Sequence, residues 1–255
     1  MGRSTASVDA FARLDADEKV AALRGRTCPI EVIRAGARDG VWLVRRAAVR
    51  NPNAPEEVIR QGAGDEAWYV RQAAVLNPSA PEDVIRAAAQ DEDRHVRRAA
   101  VGNTRAPIDV ITTGAQDENW WVRAAAVGNT SAPTDVTRVG ARDGSGYVRQ
   151  AAVGNPKAPV EVIAAGIGDN SPRVRVAAVG NPNAPVEVIA AGARDRSPYV
   201  RRVAASNPHI SEEAAERLSR SKTPVIQRRL AENPAVPERI RVVAAMRAGV
   251  AFGAT

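Results

Sequence analysis

One property of this 255-residue chain constrains its fold more than any other: it repeats every 26 residues without insertion or deletion. Val-Arg recurs at Val44-Arg45, Val70-Arg71, Val96-Arg97, Val122-Arg123, Val148-Arg149, Val174-Arg175 and Val200-Arg201. Asp39, Asp65, Asp91, Asp117, Asp143, Asp169 and Asp195 keep the same interval, as do columns of Asn beginning at Asn51 and of Pro beginning at Pro55. A unit this short cannot enclose a core, so its apolar face must be covered by the units before and after it. The architecture is thereby limited to a stack of identical supersecondary units in chain order.

Each unit reads as two short helices. The first follows a residue suited to N-capping, such as Asp93, Asn119, Ser145, Ser171, Ser197 or Thr223, and Pro172, Pro198 and Pro224 take the next position, where a missing N–H costs no bond. Val122, Ala125 and Ala126, at i, i+3 and i+4, give that helix one apolar face, and Asn129 closes it. The Asn column suits helix ends and turns because Asn tolerates left-handed backbone. The second helix begins at the proline of the Ala-Pro pair, carries an acid in its first turn (Glu57, Asp83, Asp109, Asp135, Glu161 or Glu187) and buries pairs such as Val58-Ile59. With only 2 Phe and 4 Trp in a chain that is 44% hydrophobic, the layers must lie close together. The expected fold is all-α, a right-handed α-solenoid superhelix of 26-residue two-helix repeats with a concave and a convex side. Residues 39–220 hold seven repeats and residues 1–38 a degenerate unit serving as N-terminal cap. Residues 221–255 form a degenerate C-terminal repeat and cap: they lose the Asp, replace Val-Arg by Ile226-Gln227, and place Arg229 where most units carry alanine.

The string VRRAAVRNPNAPEEVIRQGAGDE, residues 44–66, resembles the repeat of the leucine-rich repeat variant (LRV) family, and the likeness runs over roughly residues 29–240. It implies a superhelix in which α-helices alternate with short, tighter helices. The spacing of six from Asp117 to Arg123 is also similar to the ladder of HEAT-like repeats. Where the family has leucine in the second helix, this chain mostly has glycine (Gly36, Gly62, Gly114, Gly140, Gly166, Gly192), which weakens that helix and permits closer approach of neighbours. Some relatives carry a cysteine-bound iron–sulfur module ahead of the repeats, which a chain whose one cysteine is Cys28 cannot build. The resemblance implies a fold and carries no residue-level activity.

Because the chain contains its own copies, each column can be weighed separately. The invariant Arg column could track successive phosphates. An Asp six residues before each Arg makes structural pairing the better reading. The informative columns are the two before Val-Arg. The first holds Trp42, Trp68, Arg94, Trp120, Gly146, Pro172 and Pro198, the second Leu43, Tyr69, His95, Trp121, Tyr147, Arg173 and Tyr199. All four tryptophans and all three tyrosines fall here. On a helix, the second column shares its face with the residues three and seven positions later, which include Arg46, Arg98, Arg202, Arg50 and a run of glycines. Rings beside Arg form a candidate partner-binding groove of Trp42, Trp68, Tyr69, His95, Trp120, Trp121, Tyr147, Tyr199, Arg46, Arg98 and Arg202. The alternative is that the rings fill gaps between neighbouring first turns.

The chemistry available elsewhere is sparse. His95 and His209 have no metal-ligand spacing, Cys28 stands where other units have alanine, and no phosphate loop or serine elbow occurs, so no catalytic residue, metal or cofactor is expected. A net charge of +7, carried almost wholly by Arg, favours an acidic partner. No apolar run suggests a signal peptide or a membrane span, which places the expected location in the cytoplasm. The expected function is a non-enzymatic scaffold that binds a protein or peptide along the groove. Nucleic-acid binding on the same groove is the alternative. A helical-repeat DNA glycosylase using Glu118 or Glu66 beside the tryptophans is a remote one.

Overall fold

The computed structural model describes residues 2–250, with side chains from residue 7 onward, and every regular element among them is an α-helix. Two compact units divide the chain, Met1–Ser131 and Ala132–Thr255. The first contains α1 (Gly2–Ala12), α2 (Ala16–Leu23), α3 (Ile30–Gly36), α4 (Trp42–Arg50), α5 (Glu56–Ala63), α6 (Trp68–Leu76), α7 (Glu82–Ala88), α8 (Arg94–Gly102), α9 (Ile108–Gly114) and α10 (Trp120–Gly128). The second contains α11 (Thr134–Gly140), α12 (Gly146–Gly154), α13 (Val160–Gly166), α14 (Pro172–Gly180), α15 (Val186–Ala193), α16 (Pro198–Ser206), α17 (Glu212–Ser219), α18 (Pro224–Glu232) and α19 (Glu238–Ala248). Residue 1 of the N-terminal cap and residues 251–255 of the C-terminal cap lie outside the described residues.

In the first unit the leading helices stack in order, α2 on α4, α4 on α6, α6 on α8 and α8 on α10; in the second, α12, α14, α16 and α18 do the same. The trailing helices pack beside them and cover the other side of the core. Val70, Ala74, Val96 and Ala100 are fully buried between leading helices, and Ile59, Ile85 and Ile111 enter from the trailing ones. Val174, Ala178, Ile163, Ile189, Leu218 and Leu230 do the same in the second unit. The trailing helices are α-helical rather than the tighter form that the resemblance implies. An extended proline at the N-cap, Pro81 for instance at φ −63, ψ 152, launches a true i→i−4 ladder in which Ile85 N–H donates to Pro81 O at 3.2 Å and Ala89 N–H to Ile85 O at 3.1 Å; α17 alone among the trailing helices has a serine there, Ser211.

Glycine in the trailing helix is a matter of space. A Cβ on Gly62 would stand 2.5 Å from Val49 Cγ2, and one on Gly166 2.6 Å from Val153 Cγ1, so the valine of the leading helix seats directly against the glycine backbone. Neighbouring helices thus approach more closely than any side chain at that position would allow without movement.

Two polar ladders tie the repeats together. Arg45, Arg71, Arg97, Arg149 and Arg175 of the Val-Arg column are each held by both edges of the guanidinium. Nη1 of Arg71 donates to the carbonyl of Asp65, six residues back, at 3.0 Å, while Nε and Nη2 clasp the carboxylate of Asp91, twenty residues on, at 2.7 and 2.9 Å. The same fork joins Arg45 to Asp65 and Arg97 to Asp117 in the first unit, and Arg149 to Asp169 and Arg175 to Asp195 in the second. Lys19 stands in for Arg at the start, 2.8 Å from Asp39. The spacing of six therefore marks a carbonyl contact, and the ion pair reaches the next unit. These Asp carboxylates also accept from the backbone N–H two residues on, as Asp169 does from Ser171 at 2.7 Å. That bond orders the turn before the leading helix; the Asp93 and Asn119 side chains cap their helices, whereas Ser145, Ser171, Ser197 and Thr223 make no side-chain cap bond.

The Asn column forms the second ladder, and its backbone is extended rather than left-handed: Asn77 has φ −66, ψ 131, and among the described residues no non-glycine has positive φ. The reason is that the side chain reaches backward. Asn77 Nδ2 donates to Val49 O at 2.7 Å and to Asn51 O at 3.1 Å, and its Oδ1 accepts from Ser79 N–H at 2.8 Å. Asn181 repeats this in the second unit, with Val153 O at 2.8 Å and Asn155 O at 3.0 Å. The orphan carbonyl at the end of one leading helix is thereby satisfied by the next unit.

Candidate functional site

The ring columns occupy the first turns of the leading helices, just after the Asp-ordered turn. In the first unit they are brought together as a ladder. The ring of Trp42 on α4 stacks on Tyr69 of α6 with centroids 4.8 Å apart and planes inclined by 21°. Tyr69 lies over Trp68 at 3.6 Å, and Trp68 stacks on His95 of α8 at 4.4 Å and 18°. His95 meets Trp121 of α10 edge to face at 5.2 Å, and the guanidinium of Arg98 covers a Trp121 face at 4.2 Å. His95 is itself fixed by Asp93, whose carboxylate accepts from its backbone N–H at 2.7 Å and lies 3.0 Å from Nδ1.

Ring-to-ring packing and exposure thus coexist on this face. Trp42 is 39% exposed, Tyr69 40% and Trp120 42%, while Trp68, His95 and Trp121 are half-buried. The ladder spends many ring faces on one another. In the second unit, Tyr147 and Tyr199 are exposed, and each carries a guanidinium near its face, Arg173 at 5.4 Å and Arg202 at 5.8 Å.

The third arginine of the expected set, Arg46, plays a different part. With Arg24 from the end of α2 and Arg50 from the end of α4 it lines a cavity of about 390 Å³ whose floor is Val20, Leu23, Leu43 and Ala47. Among the described residues none of these three arginines has an acidic partner. Leu43, Arg46 and Arg50 are the second-column residue of that repeat and its i+3 and i+7 neighbours, so the face derived from helical periodicity is concave at this point. Arg24 was not among the expected residues. Its signal is its register, 26 residues before Arg50, inside the degenerate first unit.

Glu66 and Glu118 stand at 88% and 89% side-chain exposure, beside Arg45 and Arg97. Neither has the enclosure that would hold an extruded base. Among the described residues no cluster of His, Cys, Asp and Glu is disposed to hold a metal ion, and no helix is long and apolar enough to cross a membrane. Cys28 is half-buried, and burial pushes its thiol above the ordinary value.

No protein-family model and no curated protein matches the sequence. Among solved structures the chain is similar to one described as a leucine-rich repeat variant with a novel repetitive protein structural motif, at 22% identity and a TM-score of 0.54, over 88% of this chain and 86% of that one. It is also similar, at 15% identity and a TM-score of 0.48, to the X-ray structure of YibA from E. coli, over 98% of each chain. Helix pairs repeating every 26 residues, stacked leading helix on leading helix, give this chain the all-helical repeat fold of the leucine-rich repeat variant structure.

Proposed function

We propose that the chain is a non-enzymatic cytoplasmic scaffold that binds an acidic protein segment along the ring ladder of its first unit. The observation carrying this reading is a ring ladder from Trp42 to Trp121, exposed at Trp42 and Tyr69, whose first ring shares α4 with Arg46 and Arg50, arginines without an acidic partner among the described residues. The few residues that dominate protein interfaces are enriched in Trp, Tyr and Arg, and rings already locked against one another lose little entropy on binding. Tyr147 with Arg173 and Tyr199 with Arg202 offer the same pairing of ring and cation in the second unit. Stacked faces favour a protein partner over single-stranded nucleic acid, whose bases need open ring faces.

All four tryptophans lie in this face, so intrinsic fluorescence reports on it directly. Titration with a panel of Asp- and Glu-rich peptides carrying aliphatic or aromatic residues should shift the emission, with binding that persists at moderate salt and is lost in Trp42→Ala. Silence toward every peptide, together with a response to mixed-sequence oligonucleotides that falls steeply as salt rises, would overturn the protein reading in favour of nucleic acid.

A further inference from the structure

The Arg–Asp ladder ends in the second unit at a position where the sequence withholds the acid. Arg149 and Arg175 each use Nη1 to hold the turn behind them, and Nε with Nη2 to clasp an Asp twenty residues on, at 2.7 and 3.1 Å in both cases. Arg201 is set in the same pose: its Nη1 donates to Asp195 O at 2.8 Å and to Arg196 O at 3.0 Å. Twenty residues on from Arg201 stands Ser221. Ser221 keeps one duty of the missing carboxylate, since its Oγ accepts from Thr223 N–H at 3.2 Å as Asp195 accepts from Ser197. It cannot reach back to the fork of Arg201, whose Nε and Nη2 make no hydrogen bond among the described residues. The ladder does not resume, because Gln227 replaces the next Arg and donates instead to Ser219 O and Ser221 O at 2.8 and 2.5 Å.

Arg201 lines an open concavity of about 470 Å³ together with Arg194, Asp195, Arg217, Arg220 and Ser221. Asp195 is already clasped by Arg175, and Arg194 pairs with Glu213 at 2.7 Å. Arg217 and Arg220 have no acidic partner among the described residues. The wall thus carries three cations without a counter-charge around a fork whose geometry is templated by its own copies. A guanidinium held by Nη1 presents Nε–H and Nη2–H as parallel donors, which match the two oxygens of a planar carboxylate. We infer that this cavity is a carboxylate-binding site, in which a ligand bearing at least two negative charges places one carboxylate where the preceding repeats place Asp and a second group against Arg217 and Arg220. The site does not depend on the ring ladder. On α16, Arg201 lies two residues on from Tyr199, about 200° around the helix axis, so it faces away from that ring.

The test is the thermal midpoint of the full chain against added citrate, with sodium chloride adjusted to constant ionic strength. Citrate should raise the midpoint where chloride does not. Ser221→Asp should raise the midpoint without ligand, by returning the internal carboxylate, and should abolish the citrate response. Arg201→Lys, which keeps the charge and loses the fork, should weaken citrate at least tenfold. Arg217→Gln, at an exposed position, should weaken it without lowering the unliganded midpoint, and it keeps the test open if Ser221→Asp fails to fold. Inorganic phosphate as effective as citrate, or a citrate response unchanged in Ser221→Asp or Arg217→Gln, would overturn the assignment. An acidic peptide competing for the same Arg201-dependent site would place the carboxylate on a protein partner, whereas citrate binding unaffected by the peptide would place it on a small molecule.

Discussion

Asn77→Asp isolates the contribution of the Asn ladder, because it alters one atom in a buried site. Asn77 is 2% exposed; its Nδ2 supplies Val49 O and Asn51 O, and its Oδ1 receives Ser79 N–H. An oxygen in place of Nδ2 keeps the Ser79 bond and removes the donor from both carbonyls. Asn51 O retains Ala54 N–H at 2.9 Å, so the larger loss falls on Val49 O at the end of α4. Leaving one buried carbonyl unsatisfied costs about 1–3 kcal/mol. Setting an ionised oxygen against two carbonyl oxygens adds a cost of similar size, so about 3 kcal/mol is expected at pH 7. For a chain of this size that lowers the thermal midpoint by roughly 6–12 °C. The loss must depend on pH. Burial and the facing carbonyls raise the folded pKa of the introduced carboxyl above its unfolded value of about 3.9. The deficit is therefore full above the folded pKa and shrinks as pH falls toward the unfolded one, where the protonated acid donates a bond to Val49 O. Midpoints of wild type, Asn77→Asp and Asn77→Ala, followed by circular dichroism at pH 7 and pH 4.5, measure both effects. A deficit below about 1 kcal/mol, or one that is equal at the two pH values in Asn77→Asp, would refute the reasoning.

Two further outcomes follow from the ladders and the glycine column. Burial pushes the carboxyls of Asp65, Asp91, Asp117 and Asp195 up, but the Arg forks and the backbone N–H two residues on outweigh it and hold them below the ordinary range; at Asp169 the Arg149 fork is itself the leading cause. Folded pKa values below the unfolded value of about 3.9 mean that the ladder's stabilisation is complete above that pH and lost as pH falls through the folded values, so a pH series of thermal midpoints should be level near neutrality and drop steeply in strong acid. In Gly166→Leu the new side chain must displace Val153, whose Cγ1 lies 2.6 Å from an added Cβ, and a loss of about 1–3 kcal/mol or more is expected in urea titrations. A neutral effect would mean that the helices are not held together as closely as the glycine column implies.

What the sequence could and could not convey is decided by the period itself. With a repeat of 26, the Asp six residues before an Arg and the Asp twenty after it belong to one column, so spacing alone cannot choose between them. The structure uses both, one through its carbonyl and one through its carboxylate. The two helices per unit, the proline positions and the apolar faces were legible because they are local, set by caps and by the 3.6-residue period. Ring stacking was not. It joins a first-column residue to a second-column residue 27 positions later, as Trp42 to Tyr69 and Trp68 to His95, and depends on how one unit is turned against the next. The left-handed expectation for the Asn column failed for the same reason: local propensity gave way to bonds across the repeat.

The net charge of +7 acquires a location through these ladders. Lys19 and the seven Arg of the Val-Arg column are set against seven Asp, so the column holds one more cation than it has carboxylates, and Ser221 fixes the surplus at Arg201. A second set of pairs on the trailing helices, such as Arg34 with Glu57, Arg60 with Asp83 and Arg138 with Glu161, consumes further arginines at exposed positions where each pair stabilises little. Arg24, Arg46 and Arg50 in the first unit and Arg201, Arg217 and Arg220 in the second line a concavity each, without an acidic partner among the described residues. The departure from Asp at Ser221 falls beside the second of them. The arginines around the second concavity are those the proposed carboxylate site would use, and the Asp column of the chain leaves Arg201 among them without a carboxylate.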